Sequence, residues 1–514
     1  MYVSKSTSYS TQRNKPLPAG WYPDGLRPLA NGGSIALDGH KPGVIWFDVT
    51  PSRTIAAGVY TVSVTAGSST LGMRVHVWNF ALPAKPALKS AIGLWTTRGK
   101  STAELLLLDS RLMPTFIDPT HSATLAAAGQ AQAHVGGYAL TSGTTVTSPK
   151  LTATQVDAMV AKCKPLVPYS YLFDEKYDAT LLAHLNTYST AMVGKVKRMG
   201  TTTITSASAW LDITTCLPKF LTDTLISGRL AAGKEVWLYQ CLNQDGYSAK
   251  WLTTYPYPNW ALMAGFLPWR YKLTGLLYWR ADYWKTGVDP WASADGYSAS
   301  YPGEACWILP LPDGTYAPTI RLKWLRDGVD TYDYLALLKA KGQGAFADQV
   351  ARSVAPDWTV WSRDPVAIEA ARRQLGEKLS ALYAPAAAPT SAAVSHTISV
   401  WAEASPNTVA SGGSVTLSAA VGDTEGHNII GWQWSDGRAG GSFVPSAAVA
   451  NPIYIAPVNG SGVDHVLALT VRVVCAGPSP VSGTGLAPLT VRAGARTSSM
   501  APGGERSLTR ATSR

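Results

Sequence analysis

The chain has 514 residues, enough for two to four domains that each bury a core of their own. Only 15% of its residues are charged, below the usual quarter or so, and 46% are hydrophobic, which describes a folded rather than a disordered chain. The net charge of +11 does not mark a nucleic-acid binder, because the basic residues are scattered and their densest set, Arg492, Arg496, Arg506, Arg510 and Arg514, belongs to a polar tail.

The first zone, 1–83, carries VIWFDV (Val44 to Val49), GVYTVSV (Gly58 to Val64) and LGMRVHVWNF (Leu71 to Phe80). Their alternation of apolar and polar residues predicts antiparallel strands, too few for a complete sandwich, so the expectation is an abbreviated N-terminal β-sandwich. From 84 to 384, strand-like and helix-like segments alternate. AIGLW, PTFID, LVPYSYLF, TTTITSAS, EVWLYQC and GLLYW read as short strands. TATQVDAMVAKC, ATLLAHLNTYSTAMVGKV, PTIRLKWLRDGVDTYDYLALLKAK and PVAIEAARRQLGEKLSALY read as amphipathic helices. Such alternation predicts a (β/α)8 TIM-like barrel. A Pro/Ala linker follows at 385–396. TISVWAEAS, GGSVTLSAAV, NIIGWQWSD, NPIYIAP and HVLALTVRVVC then predict an immunoglobulin-like β-sandwich over 397–493, with Trp434 as its core tryptophan. A disordered tail, 494–514, ends the chain.

The five cysteines, Cys163, Cys216, Cys241, Cys306 and Cys475, form no CxxC, and none of the eight histidines has ligand spacing, so the expectation is no metal and no cofactor. No apolar run is long enough to span a bilayer, and the opening MYVSKSTSYSTQRNK lacks the apolar centre of a signal peptide.

Asp174-Glu175 is the place where an apolar, aromatic run, YSYLF, stops at two adjacent carboxylates. On a barrel strand, that position is the C-terminal mouth, where chemistry is done. A carboxylate pair there can move a proton and steady a developing cation. The rival reading is structural: a strand-end Asp capping the next helix, with Glu175 in its first turn. The 19 Trp and 23 Tyr suit sugar rings, which aromatic faces stack on, although most of them will be core.

Six segments in order, over roughly Trp21 to Tyr383, resemble glycoside hydrolase family 123. WYPDGLRPL is similar to "YPD-x-L-x-P" and VHVWNFALP to "VWDF-x-LP". YSYLFDE resembles the strand ending in "DEP", and GLLYWRADYW resembles "GxLYWxxNxW". DGYSASYPG is similar to "GDGxLxYPG" and TIRLKWLRDGVDTYDYL to "SIRLExxRDGIEDYEYL". The resemblance implies a sandwich plus a barrel, and removal of terminal β-linked N-acetylgalactosamine with retention of configuration. It also implies substrate assistance: the sugar's 2-acetamido oxygen attacks the anomeric carbon, and no enzyme nucleophile is needed.

On that resemblance Glu175 is the general acid/base, a role that apolar surroundings promote. Asp174 accepts the acetamido N–H and offsets the oxazolinium charge. The chain departs from the family at Lys176, which replaces the proline of "DEP" and sets a cation beside the proposed acid. It departs again at Asp282, which replaces an Asn and can only accept hydrogen bonds. Further substrate-binding candidates are Trp237 and Tyr239, which share one strand face with Cys241. Trp279 is a candidate sugar floor, Tyr301 a partner for the acetamido region, and Asp212 a strand-end acceptor; core packing or turn bracing is the rival in each case. Arg321, Arg326 and Asp327 read as structural ion pairs. The implied substrate is a glycan with a terminal β-linked amino sugar. A noncatalytic glycan-binding or cell-surface protein with a degenerate barrel is the alternative. Low charge, the linker and the C-terminal module point to an extracellular or cell-surface protein, and the missing signal and abbreviated first sheet point to an incomplete or mis-started N-terminus. The module would then contact polysaccharide or the cell surface, with no nucleic acid and no membrane span involved.

Overall fold

The computed structural model describes all residues except 6–15, 30–32, 36–43, 53, 67–68, 242–247, 384–397, 424–426, 477–480 and 495–514. The chain divides into two compact units, Met1–Ala388 and Pro389–Arg514. The predicted linker 385–396 and all but the first residue of the tail lie outside the described residues.

Eight parallel strands form the centre of the first unit: β1 (Lys89–Gly93), β2 (Pro114–Thr115), β3 (Gln132–His134), β4 (Val167–Phe173), β5 (Lys197–Thr201), β6 (Ile213–Cys216), β7 (Glu235–Gln240) and β8 (Gly275–Tyr278). They pair in chain order, and β8 closes onto β1, which makes a barrel open only between β2 and β3. Gln130 spans that gap by donating from Nε2 to the carbonyls of Pro114 (3.0 Å) and Gln132 (2.6 Å). Inside lie Ala91, Tyr169, Met199, Ile213, Trp237, Tyr239, Cys241 and Leu277, a packed core rather than a pore.

The sequence pattern located most of these elements. TTTITSAS was misplaced: β5 ends at Thr201, and the residues after it form a loop with a short 3-10 turn at Ser206–Ser208. β3 and β6 were missed because strands of three and four residues give alternation almost nothing to act on. In the first zone the hairpin Gly58–Ala66/Ser69–Val77 forms, but Val44–Val49 forms no strand.

The N-terminal face of the barrel is an ionic layer. Burial opposes ionisation of Glu235, yet Lys197, Lys89 and the Trp237 indole hold it down to about 2. Helix α8 (Ile320–Ala340) is locked to the front of the chain by Arg321, whose guanidinium grips the buried Asp24 carboxylate through Nε (2.6 Å) and Nη2 (2.9 Å) and also binds the Gly303 carbonyl. Arg326 on the same helix pairs with Asp48 (3.0 Å). A cavity of about 540 Å³ lies near this face, where the chain enters β1, β2 and β3. Charges lining it pair across it, as in Arg111–Asp330 (2.8 Å) and Arg326–Asp48, so it belongs to the ionic framework.

The second unit contains two four-stranded sheets around one apolar core. Trp434 is fully inside that core, with its indole N–H on the Val449 carbonyl (3.1 Å). The last strand, Ser482–Val491, was not anticipated; its Gly- and Pro-containing sequence hides the period. All five cysteines are buried and free of disulfides. Among the described residues, no helix is long and apolar enough to cross a membrane.

Candidate active site

Strict alternation along β4 would point Tyr169, Tyr171 and Phe173 into the barrel and Asp174 out. The register against β5 shifts between Tyr171 and Phe173, a β-bulge. As a result Leu172 and Phe173 both join the outer cluster with Leu181, Leu182 and Leu185, under the helix α4 (Ala179–Tyr188). Phe173 fits there because it lies across Gly200, where an added Cβ would sit 2.4 Å from the ring. The bulge thereby turns Asp174 to the barrel mouth, a re-aiming that bulges provide beside active sites.

There Asp174 Oδ1 accepts from the Tyr171 hydroxyl (2.6 Å). Tyr171 also meets Thr201 Oγ1 (2.6 Å), and Thr201 meets Thr215 Oγ1 (2.7 Å). A phenol has one proton, so with Asp174 as carboxylate the donations run Thr215 to Thr201 to Tyr171 to Asp174. Burial, then the Asp174 charge, push the Tyr171 phenol well up, so it stays a donor. Glu175 follows in the left-handed region, φ 47°, a conformation that costs a non-glycine residue about 1 kcal/mol. The backbone N–H of Lys176 donates to the Thr201 carbonyl (3.2 Å) and holds this turn. Burial and then Glu175 push the Tyr177 phenol up to about 12; Tyr239 is raised by burial, with Asp174 and Glu175 both contributing. Two tyrosines therefore lie within electrostatic reach of Glu175. Lys176 enters no ion pair among the described residues.

The second half of the mouth follows β8. Trp279 is half-buried and donates from its indole to Glu304 Oε1 (2.7 Å). Its ring meets Tyr297 edge-on at 5.6 Å and Tyr283 at 6.1 Å; Tyr301 adjoins Tyr297 at 6.4 Å. Glu304 is buried, and desolvation pushes its carboxyl up to about 7 despite the bonds from Trp279 and Tyr278 and the charge of Arg321. Cys241 is near enough to both Tyr239 and Tyr297 to act on them electrostatically. The loop directly after Cys241, 242–247, lies outside the described residues.

Of the expected residues, Asp174, Glu175 and Tyr239 come together, and Trp279 and Tyr301 share the aromatic group around Glu304. Trp237 faces inward as its alternation requires but lies lower, wholly buried, with its N–H on Glu235 (3.0 Å) and its ring on Gly275. It is core. Asp212 is a correction: it opens β6 instead of closing β5, at the N-terminal end of the barrel. It is bound there by Lys234 (2.6 Å) and the Arg198 backbone N–H (3.0 Å). Burial works against its ionisation, and these partners outweigh it, holding the carboxyl below its usual range. Asp282 is a second correction. It is fully buried and accepts from the backbone N–H groups of Trp95 (2.8 Å) and Thr96 (2.5 Å) and from Arg280 Nε (2.9 Å). All three partners are donors, so an acceptor-only carboxylate suits the position, and no oxygen is left facing a sugar.

What Asp282 positions is the loop after β1 that carries Trp95. Trp95, which ends the predicted strand AIGLW but was not singled out from the sequence, is 57% exposed and packs on Phe116 at 5.0 Å. Glu304 was also missed; it follows the YPG segment directly, but nothing local signals its burial.

Residues 186–338 match the sequence profile of a known family, described as Glycoside hydrolase 123, catalytic domain. Over that stretch the chain is similar to the catalytic domain of glycoside hydrolase family 123. The match begins within α4, so Asp174 and Glu175 precede it, whereas Tyr239, Trp279, Tyr301 and Glu304 lie inside it. Among solved structures, a family 123 glycoside hydrolase from Clostridium perfringens, described for glycolipid glycan hydrolysis, has a TM-score of 0.39 and 11% identity, covering 64% of this chain and 76% of its own. A nucleoside hydrolase-related hypothetical protein from Saccharophagus degradans, associated with carbohydrate metabolism, has a TM-score of 0.17 and 12% identity, covering 79% of this chain and 100% of its own. Neither superposition is close enough to bear on the site. No curated protein matches the chain.

Proposed function

We propose that the barrel of this chain removes terminal β-linked N-acetylhexosamine, with N-acetylgalactosamine as the preferred sugar, by a retaining, substrate-assisted route. The observation that carries the reading is the bulge in β4, which brings Asp174 to the barrel mouth with Glu175 beside it. Asp174 Oδ1 is occupied by Tyr171, and Oδ2 is the acceptor for the acetamido N–H. That bond orients the acetamido oxygen toward the anomeric carbon and balances the charge of the oxazolinium. Glu175 donates its proton to the leaving oxygen and afterwards takes one from the incoming water. The exposed face of Trp95 and the ring of Trp279 offer stacking surfaces for the sugar.

The test uses aryl β-N-acetylgalactosaminide, aryl β-N-acetylglucosaminide and aryl β-galactoside side by side. Release from the first, falling about 10²- to 10⁴-fold in Glu175→Gln, is the expected result. No release by the wild type favours the noncatalytic glycan-binding alternative, and equal rates on the plain galactoside rule out substrate assistance. The two sheets of the second unit support reading it as an immunoglobulin-like module that contacts polysaccharide or the cell surface. The front hairpin is read as what remains of the N-terminal sandwich, and the whole as an extracellular protein. Immunolabelling of intact cells would detect the chain at the surface or in the medium if that placement is right.

A further inference from the structure

The geometry points to a zinc site in the second unit, formed by Asp423, His427 and Cys475. Asp423 is the last residue of the strand Ser414–Asp423, and Cys475 is the last residue of the strand His465–Cys475 in the other sheet. His427 lies two residues before the strand Ile429–Ser435, which pairs with Cys475 through Ile429. The Ala476 N–H on the Asn428 carbonyl (2.7 Å) fixes that end of the pairing. One oxygen, one imidazole nitrogen and the thiol sulfur thus converge from both sheets, with the three ligand atoms all within 4.8 Å of one another. His427 Nδ1 and Asp423 Oδ2 are 3.4 Å apart.

Those separations suit a tetrahedral ion. Zinc bonds of about 2.0–2.1 Å to nitrogen or oxygen and about 2.3 Å to sulfur place neighbouring ligands roughly 3.3–3.7 Å apart. Calcium and magnesium are unsuited, since they take oxygen ligands; a thiolate, an imidazole and a carboxylate select a borderline-soft divalent ion such as Zn²⁺. Cys475 is fully buried and the Asp423 side chain is 4% exposed, whereas the His427 ring is 25% exposed and leaves an entry path. Water fills the fourth position. On coordination the thiol releases one proton and the imidazole binds in its neutral form. Bound zinc ties the two sheets together at one end. Sequence spacing gave no hint of it: the ligands fall at positions 423, 427 and 475, and only the sandwich brings the third to the other two. A histidine–aspartate ion pair beside a packed cysteine is the competing account of the same cluster.

The experiment titrates the full-length, reduced, chelator-treated protein with Co²⁺. Tetrahedral coordination with a thiolate gives visible ligand-field bands and a near-ultraviolet sulfur-to-metal band, both removed when Zn²⁺ displaces the cobalt. His427→Ala, at a partly exposed position and expected to fold, should weaken cobalt binding at least 10-fold, and Cys475→Ser should abolish the sulfur band. Absence of the band in the folded wild type, or its persistence in Cys475→Ser, overturns the site; the other four cysteines then account for any residual binding.

Discussion

Glu304→Gln tests whether the barrel mouth holds a buried, protonated carboxyl behind Trp279. Burial raises the Glu304 carboxyl from its ordinary 4.5 to about 7. A carboxyl raised on folding contributes stability that is fully present below its unfolded value and is lost as the pH rises through its folded value. At about 1.36 kcal/mol per unit, the wild type should lose about 3 kcal/mol from this group between pH 4.5 and 8. Glutamine cannot ionise, keeps an oxygen for the Trp279 indole and fills the same space. The variant should therefore match the wild type near pH 4.5 and exceed it by about 3 kcal/mol near pH 8, the full shift expressed as stability. Urea unfolding at several pH values, followed by the fluorescence of the first unit, which holds most of the tryptophans, reads the difference. Other titrating groups are common to both proteins and cancel. A gap that stays constant across this range would refute a proton buried at Glu304.

Three further substitutions probe the framework. Tyr171→Phe removes the donor to Asp174 but keeps the ring; a lost bond to a charged group is worth about 1.5–3 kcal/mol, so the urea midpoint should drop and kcat/KM on the N-acetylgalactosaminide should fall roughly 10- to 100-fold. Gly200→Ala places a methyl 2.4 Å from the Phe173 ring, and such overpacking should destabilise by about 1–3 kcal/mol while disturbing the bulge, so activity and urea midpoint fall together. Arg321→Met strands the buried Asp24 carboxylate and should cost about 3–5 kcal/mol in urea unfolding, with a loss under 1 kcal/mol contradicting the lock described for α8.

The strand that ends at Asp174-Glu175 and the barrel were both legible because their signals are local. An aromatic strand ending in two carboxylates is visible as a run of seven residues, and long helices such as Ile320–Ala340 show their period directly. Asp212 and Asp282 were misread for one reason: a carboxylate near a strand end in the sequence carries no label for which end of the barrel it occupies or whether backbone donors already fill it. The position of Asp212 depended on where β5 stopped, and the use of Asp282 depended on a loop more than 180 residues earlier in the chain.

By itself, then, the sequence determined the order of units, the shared face of Trp237, Tyr239 and Cys241, and the identity of the proposed acid and its neighbour. Tertiary structure decided the rest. Alternation alone would have sent Asp174 outward; pairing β4 against β5 with a bulge, which the missing side chain of Gly200 permits, sends it into the mouth. Likewise nothing adjacent to Glu304 predicts a proton held near neutrality, because that property comes from burial in a core that only folding assembles, which outweighs the hydrogen bonds from Trp279 and Tyr278.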